Sequence, residues 1–124
     1  MSGRLLIIDD DECLVRAYTE HFSDLGYQVD SAHELEEAQT LLAYFPYAVV
    51  ITDLRLSKLG FDGLDIVKHV RDRSLPTRII VLTGYGWPEL KAEARAQGVD
   101  AFVQKPVRLT QLARTVASFT GVEA

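Results

Sequence analysis

Hydrophobic and polar positions follow two rhythms along the chain. Short runs rich in apolar or β-branched residues read as strands: Arg4–Ile8 ("RLLII"), Tyr27–Ser31 ("YQVDS"), Ala48–Thr52 ("AVVIT"), Arg78–Thr83 ("RIIVLT") and Ala101–Gln104 ("AFVQ"). Between them, apolar residues recur every three or four positions, the spacing of one helix face. Leu14, Tyr18, Phe22 and Leu25 mark a first helix, stopped at Gly26. Leu35, Ala38, Leu41, Leu42 and Phe45 mark a second, ended by Pro46. A polar loop runs to about Asp62, and Leu64, Val67 and Val70 mark a third helix. A fourth spans Pro88 to Gln97, with proline in its first turn and Gly98 beyond its end. Leu109, Leu112, Val116 and Phe119 mark the last.

Five strand–helix units in strict alternation imply a parallel sheet buried on both faces. The expected fold class is α/β: a five-stranded parallel sheet of order 2-1-3-4-5, doubly wound (flavodoxin-like), in a three-layer sandwich with right-handed crossovers. The sequence shows no linker, repeat or low-complexity segment. A single domain over 1–124 is therefore expected, with no output domain.

Composition narrows the class. The chain has 124 residues, 48% hydrophobic and 25% charged, the balance of a globular domain. Its net charge of −5 disfavours direct nucleic-acid binding. One cysteine, Cys13, excludes an internal disulfide and zinc-type spacing, and fits a reducing compartment. Cys13 itself reads as a small packing residue at the start of the first helix. No apolar run approaches membrane-span length and the N-terminus lacks a signal-peptide core, so a cytoplasmic location without membrane association is expected.

In open α/β sheets the ligand site lies beyond the carboxyl ends of the strands, where the strand order reverses. The first strand here ends in Asp9, Asp10 and Asp11, the third in Asp53 and the fourth in Thr83; Lys105 and Pro106 follow the fifth. The second strand brings nothing comparable. Taken singly, each residue has a plainer use: Asp10 or Asp11 as a helix N-cap, Asp53 in a turn, Lys105 on a loop. Together on one rim they suit phosphoryl chemistry. Asp9, Asp10 and Asp53 are hard oxygen ligands for Mg²⁺, a hydroxyl and an ammonium suit phosphoryl oxygens, and a central carboxylate can act as nucleophile. Asp11 and Glu12 fit the start of the first helix, where its dipole favours negative charge.

These landmarks resemble the receiver domain of two-component response regulators. "IIDDDE", "VVITDLRL", "IIVLTGYG" and "AFVQKP" carry the likeness, in order and over nearly the whole chain. "DLRL" with "LTGYG" is most similar to receivers of a redox-responsive subfamily, which usually carry a helix-turn-helix output domain. The resemblance implies that Asp53 is the phosphoacceptor. Asp9, Asp10 and Asp53 would hold Mg²⁺, joined by the backbone carbonyl of Arg55. Thr83 and Lys105 would bind the phosphoryl group, and Phe102 would be the aromatic switch residue. The Lys105–Pro106 bond would be cis. Arg55 and Tyr85 would flank the path of attacking water and slow dephosphorylation.

The likeness has departures. Ser57 stands where the family commonly has proline, and Gly63 comes ten residues after Asp53 rather than eight, a two-residue insertion within "SKLGFDG". The implied function is a phosphoacceptor receiver rather than a turnover enzyme. Its implied partners are a histidine kinase or histidine phosphotransfer protein upstream, and a protein docking on the fourth helix, fifth strand and fifth helix downstream. Phosphorylation-dependent homodimerisation is a further expectation. Tyr85 and Trp87 precede that face, either as contact anchors or as loop packing. A competing class, the aspartate-nucleophile phosphatases, needs an acid two residues past the nucleophile, where this chain has Arg55. Nucleotide binding lacks its glycine-rich loop. The alternative function is a degenerate receiver, a protein-interaction module independent of phosphorylation. His21, His33 and His69 read as surface or boundary residues of helices.

Overall fold

Five strands pair in parallel in the order β2-β1-β3-β4-β5. They are β1 (Arg4–Ile8), β2 (Gln28–Ala32), β3 (Val49–Asp53), β4 (Arg78–Thr83) and β5 (Ala101–Gln104). They alternate with α1 (Glu12–Asp24), α2 (Leu35–Tyr44), α3 (Gly63–Asp72), α4 (Pro88–Ala96) and α5 (Leu109–Thr120). The structure, a computed structural model, describes residues 3–54, 63–84 and 88–121. The expected order and class are observed. Two strand bounds differ: β2 lies one residue later than the hydrophobic pattern placed it, and β3 runs one further, so that Asp53 is its last residue.

The continuous apolar runs are explained by burial on both sheet faces. Alternate residues of each strand go to opposite sides. Leu6, Ile8, Val50, Ile79 and Val81 pack beneath α2, α3 and α4 with Ala38, Leu42, Ile66, Val67, Val70 and Ala94. Leu5, Ile7, Val49, Ile51, Ile80 and Leu82 meet Val15, Tyr18, Phe22, Leu112 and Val116 of α1 and α5. The two layers make the expected sandwich. Every residue of β3 is buried, as a central strand should be.

Phe45, placed on the inner face of α2 by its spacing, departs from that pattern. It sits past the helix end with extended backbone, is 39% exposed, and stacks under the Arg4 guanidinium at 4.2 Å. Tyr47 takes the buried place instead, donating from its hydroxyl to Asp30 Oδ2 at 2.6 Å. Pro46 ends the helix early, so helical spacing does not carry through to Phe45. Leu25 is likewise the C-cap of α1 rather than a core residue, and is 39% exposed.

Candidate functional site

The buried run of β1 delivers three consecutive aspartates, and each finds a different environment. Asp9 remains buried at 4% exposure, and its Oδ1 accepts the Asp11 N–H at 2.9 Å. Asp11 is exposed and is the N-cap of α1, its Oδ1 accepting from the Cys13 and Leu14 N–H groups at 3.0 and 3.2 Å. This leaves Asp10, half-buried, as a rim residue rather than the cap. Glu12 opens the first turn of α1, where an acidic side chain suits the helix dipole. Cys13, expected to pack, is exposed, because the cap turns that part of the first turn to solvent.

Asp53 closes β3, pairs in register with Leu82 of β4, and is 6% exposed. The Lys105 ammonium lies directly on Asp53 Oδ2, although Lys105 itself is half-exposed. Its backbone holds it there: the Lys105 N–H donates to Thr83 O at 2.7 Å, and the Lys105–Pro106 peptide is cis, as the likeness implied. Thr83 ends β4 at 3% exposure. Val81 pairs with Phe102 and Thr83 with Gln104, so Thr83 and Phe102 lie on the same sheet face, that of α4. Phe102 is half-buried there, with Lys91 Nζ 5.1 Å and Arg95 Cζ 5.2 Å from its ring centre.

Burial and neighbouring acids act on two groups of the pocket. Burial pushes the Asp9 carboxyl up to about 6, aided by the Asp10 side chain and the charge of Asp53, and opposed by the Asp11 N–H. The Tyr18 hydroxyl, behind the pocket on α1, is pushed up to about 12, chiefly by burial and then by Asp9 and Asp53. A concentration of desolvated carboxylates of this kind is relieved by a cation. The donors are all hard oxygens, which fits Mg²⁺. Among the described residues no three His, Cys, Asp or Glu side chains form a ready-made metal cage.

Two contacts at this rim lay beyond the sequence reading, although Gly63 itself was marked as the residue opening the third helix. Gly63 opens α3 against β3: its N–H donates to Leu54 O at 3.0 Å, and a Cβ there would meet Asp53 O at 2.5 Å. Its place at the start of a helix was the available signal. His33, in the turn between β2 and α2 rather than on a helix, approaches the backbone Asp9 O with Nδ1 at 3.4 Å. Arg55, Tyr85, Trp87 and the insertion before Gly63 lie outside the described residues.

A doubly wound parallel sheet with buried carboxylates, a buried threonine and a lysine gathered at its carboxyl rim defines a receiver-type signalling domain. The chain belongs to the response regulator receiver domain family, whose description matches residues 5–117. It is 32% identical over 102 residues to the photosynthetic apparatus regulatory protein RegA of Cereibacter sphaeroides, covering 82% of this chain and 54% of RegA. It is 33% identical over 119 residues to the response regulator protein PilR of Pseudomonas aeruginosa, covering 95% of this chain and 26% of PilR. The chain thus spans about half or less of these relatives. The Francisella response regulator 1452 receiver domain superposes with a TM-score of 0.85 at 24% identity, covering 96% of this chain and 97% of that one, a likeness of fold. A Burkholderia pseudomallei response regulator with a phosphorylated aspartic acid, calcium ion and citrate is 27% identical with a TM-score of 0.82, covering 94% of this chain and 66% of that one. No helix among the described residues is long and apolar enough to cross a membrane.

Proposed function

We propose that this receiver accepts a phosphoryl group on Asp53 from a histidine kinase or histidine phosphotransfer protein. The observation that carries the reading is the Lys105 ammonium lying on the buried Asp53 carboxylate, with Asp9 and Thr83 buried at the same rim. The Burkholderia relative with a phosphorylated aspartic acid and a calcium ion supports it by analogy.

Asp53 Oδ attacks phosphorus in line. The new O–P bond forms as the donor's N–P bond breaks, and the imidazole leaves with the bonding electron pair. Such a transition state is loose, so positioning and charge neutralisation carry most of the catalysis. Lys105 shifts its hydrogen bonds from the carboxylate to a phosphoryl oxygen, and Thr83 donates its hydroxyl to another. Asp9, Asp10 and Asp53, with the Arg55 carbonyl, would hold Mg²⁺, which supplies charge neutralisation at the phosphoryl oxygens. The product is a phosphoprotein, and the chemistry is self-phosphorylation rather than turnover.

Drawing Thr83 toward the phosphoryl group opens space on the α4 side of the sheet, where Phe102 can turn inward. This couples the acceptor pocket to the face formed by α4, β5 and α5, the docking surface for a downstream protein or a second copy. Coupling energies of this kind are typically about 1–3 kcal/mol, enough to bias docking without refolding. A cytoplasmic setting follows from this role. Incubation with Mg²⁺ and acetyl phosphate should add one phosphoryl mass to the wild type and none to Asp53→Asn. Equal labelling of the variant would place the acceptor elsewhere, and no labelling of either would favour the phosphorylation-independent module.

Arg55 and Tyr85 flank the route of attacking water in this reading and slow hydrolysis of the product. Arg55→Ala and Tyr85→Ala should each speed dephosphorylation by several-fold. Unchanged decay of the labelled protein in both variants would remove them from that role.

A further inference from the structure

Away from the carboxyl rim, the last turn of α1 and the first half of α5 leave a recess of about 250 Å³ between them, lined by His21, Leu25, Thr110, Ala113 and Arg114. The two helices are held in place by packing. Phe22 of α1 and Leu112 and Val116 of α5 are fully buried in one cluster, and the Tyr27 hydroxyl meets Thr120 Oγ1 at 3.0 Å. Leu25, an exposed apolar residue, and Ala113 give the recess apolar surface. His21, Thr110 and Arg114 give it an imidazole, a hydroxyl and a guanidinium. Among the described residues none of these three side chains takes part in a hydrogen bond or a salt bridge. Glu20 and Asp24, the acids beside His21 on α1, leave Arg114 unpaired. No acid stands along α5, and its N-cap, Arg108, makes no side-chain cap bond. The dipole at its first turn, where Thr110 lies, favours negative charge. The recess is thus a local cationic site with apolar surface, on a chain whose net charge is −5.

We propose that this recess is a binding site for a small monocarboxylate with a short apolar body. The Arg114 guanidinium is a planar fork that matches a carboxylate through two parallel hydrogen bonds. Thr110 and His21 each add a donor beside it. Leu25 and Ala113 cover a short aliphatic or aromatic body and remove its apolar area from water. Size decides against larger occupants: drug-sized ligands fill about 300–1,000 Å³, and this recess holds less. A bare inorganic anion is the poorer fit, because it leaves Leu25 and Ala113 uncovered. None of the lining residues belongs to the rim of Asp9, Asp53, Thr83 and Lys105, so the site is independent of the acceptor reading.

The test is a ¹⁵N NMR titration of the full chain with sodium benzoate, benzamide and inorganic phosphate. Benzoate should shift the amides of His21, Leu25, Thr110, Ala113 and Arg114 and saturate with a Kd of about 1 mM or tighter, a range open to a ligand of this size. Benzamide keeps the ring without the charge, and phosphate keeps the charge without the ring. Each should bind at least tenfold more weakly than benzoate. Arg114→Gln should weaken benzoate at least tenfold, whereas Arg108→Gln, which changes net charge equally outside the recess, should leave its affinity unchanged. Both arginines are exposed, so neither change reaches the core. Equal binding of benzamide or of phosphate, or no saturation by about 10 mM benzoate, would overturn the proposal. Equal losses in the two arginine variants, or shifts centred on Asp9, Asp53 and Lys105, would do the same. So would the lining amides shifting with protein concentration alone, which would make a second copy the occupant.

Discussion

Asp9, Asp10 and Asp11 are chemically identical and adjacent, yet one is buried, one lies on the rim and one caps a helix. The pattern placed all three at the end of a strand. It left open whether Asp10 or Asp11 was the cap, because that depends on the backbone turn after Ile8. His69 shows the same limit more sharply. Its side of α3 was legible, but not that its Nε2 is buried without a hydrogen bond among the described residues. Burial holds the imidazole below its ordinary value of 6.5; Arg73 adds to that effect, and Asp72 opposes it. The unfolded chain therefore takes up this proton near pH 6.5, and the folded chain only at lower pH. Stability should fall as pH drops below that value. His69→Met should lose less stability than wild type between pH 7 and pH 5 in urea unfolding. Parallel losses would show that the imidazole does not contribute.

At the scale of elements, alternation and helical spacing located every strand and helix among the described residues, because a two-sided parallel sheet demands continuous apolar strands. The spacing failed where an element ended, at Phe45 and Leu25, since periodicity carries no information about a cap. Long-range ties were also invisible. Arg71 of α3 donates to Gly98 O, Leu75 O and Thr77 O, and its ion pair with Asp100 fastens α3 to the foot of β5. Gly63 is the element-scale feature with the clearest consequence. The start of α3 approaches β3 so closely that a methyl group would meet the Asp53 carbonyl. Gly63→Ala should destabilise the fold by roughly 1–3 kcal/mol through overpacking. It should also slow phosphorylation by displacing Asp53. Wild-type urea midpoint and labelling rate in this variant would contradict the contact.

For the whole molecule, topology turns scattered residues into a site. Strand order 2-1-3-4-5 makes β1, β3, β4 and β5 consecutive neighbours, so Asp9, Asp53, Thr83 and Lys105 meet at one rim despite wide separation in sequence. The order could be anticipated because right-handed crossovers leave few alternatives. The contact between Lys105 and Asp53 needed the structure, since it depends on how the chain turns after β5. The central claim is that this convergence makes Asp53 the phosphoacceptor. The most direct measurement is borohydride reduction after Mg²⁺ and acetyl phosphate treatment, followed by peptide mass mapping. An acyl phosphate at Asp53 is reduced to homoserine, so the account predicts homoserine at position 53 and at no other acid. Homoserine at Asp9, Asp10 or another carboxylate, with Asp53 intact, would contradict it.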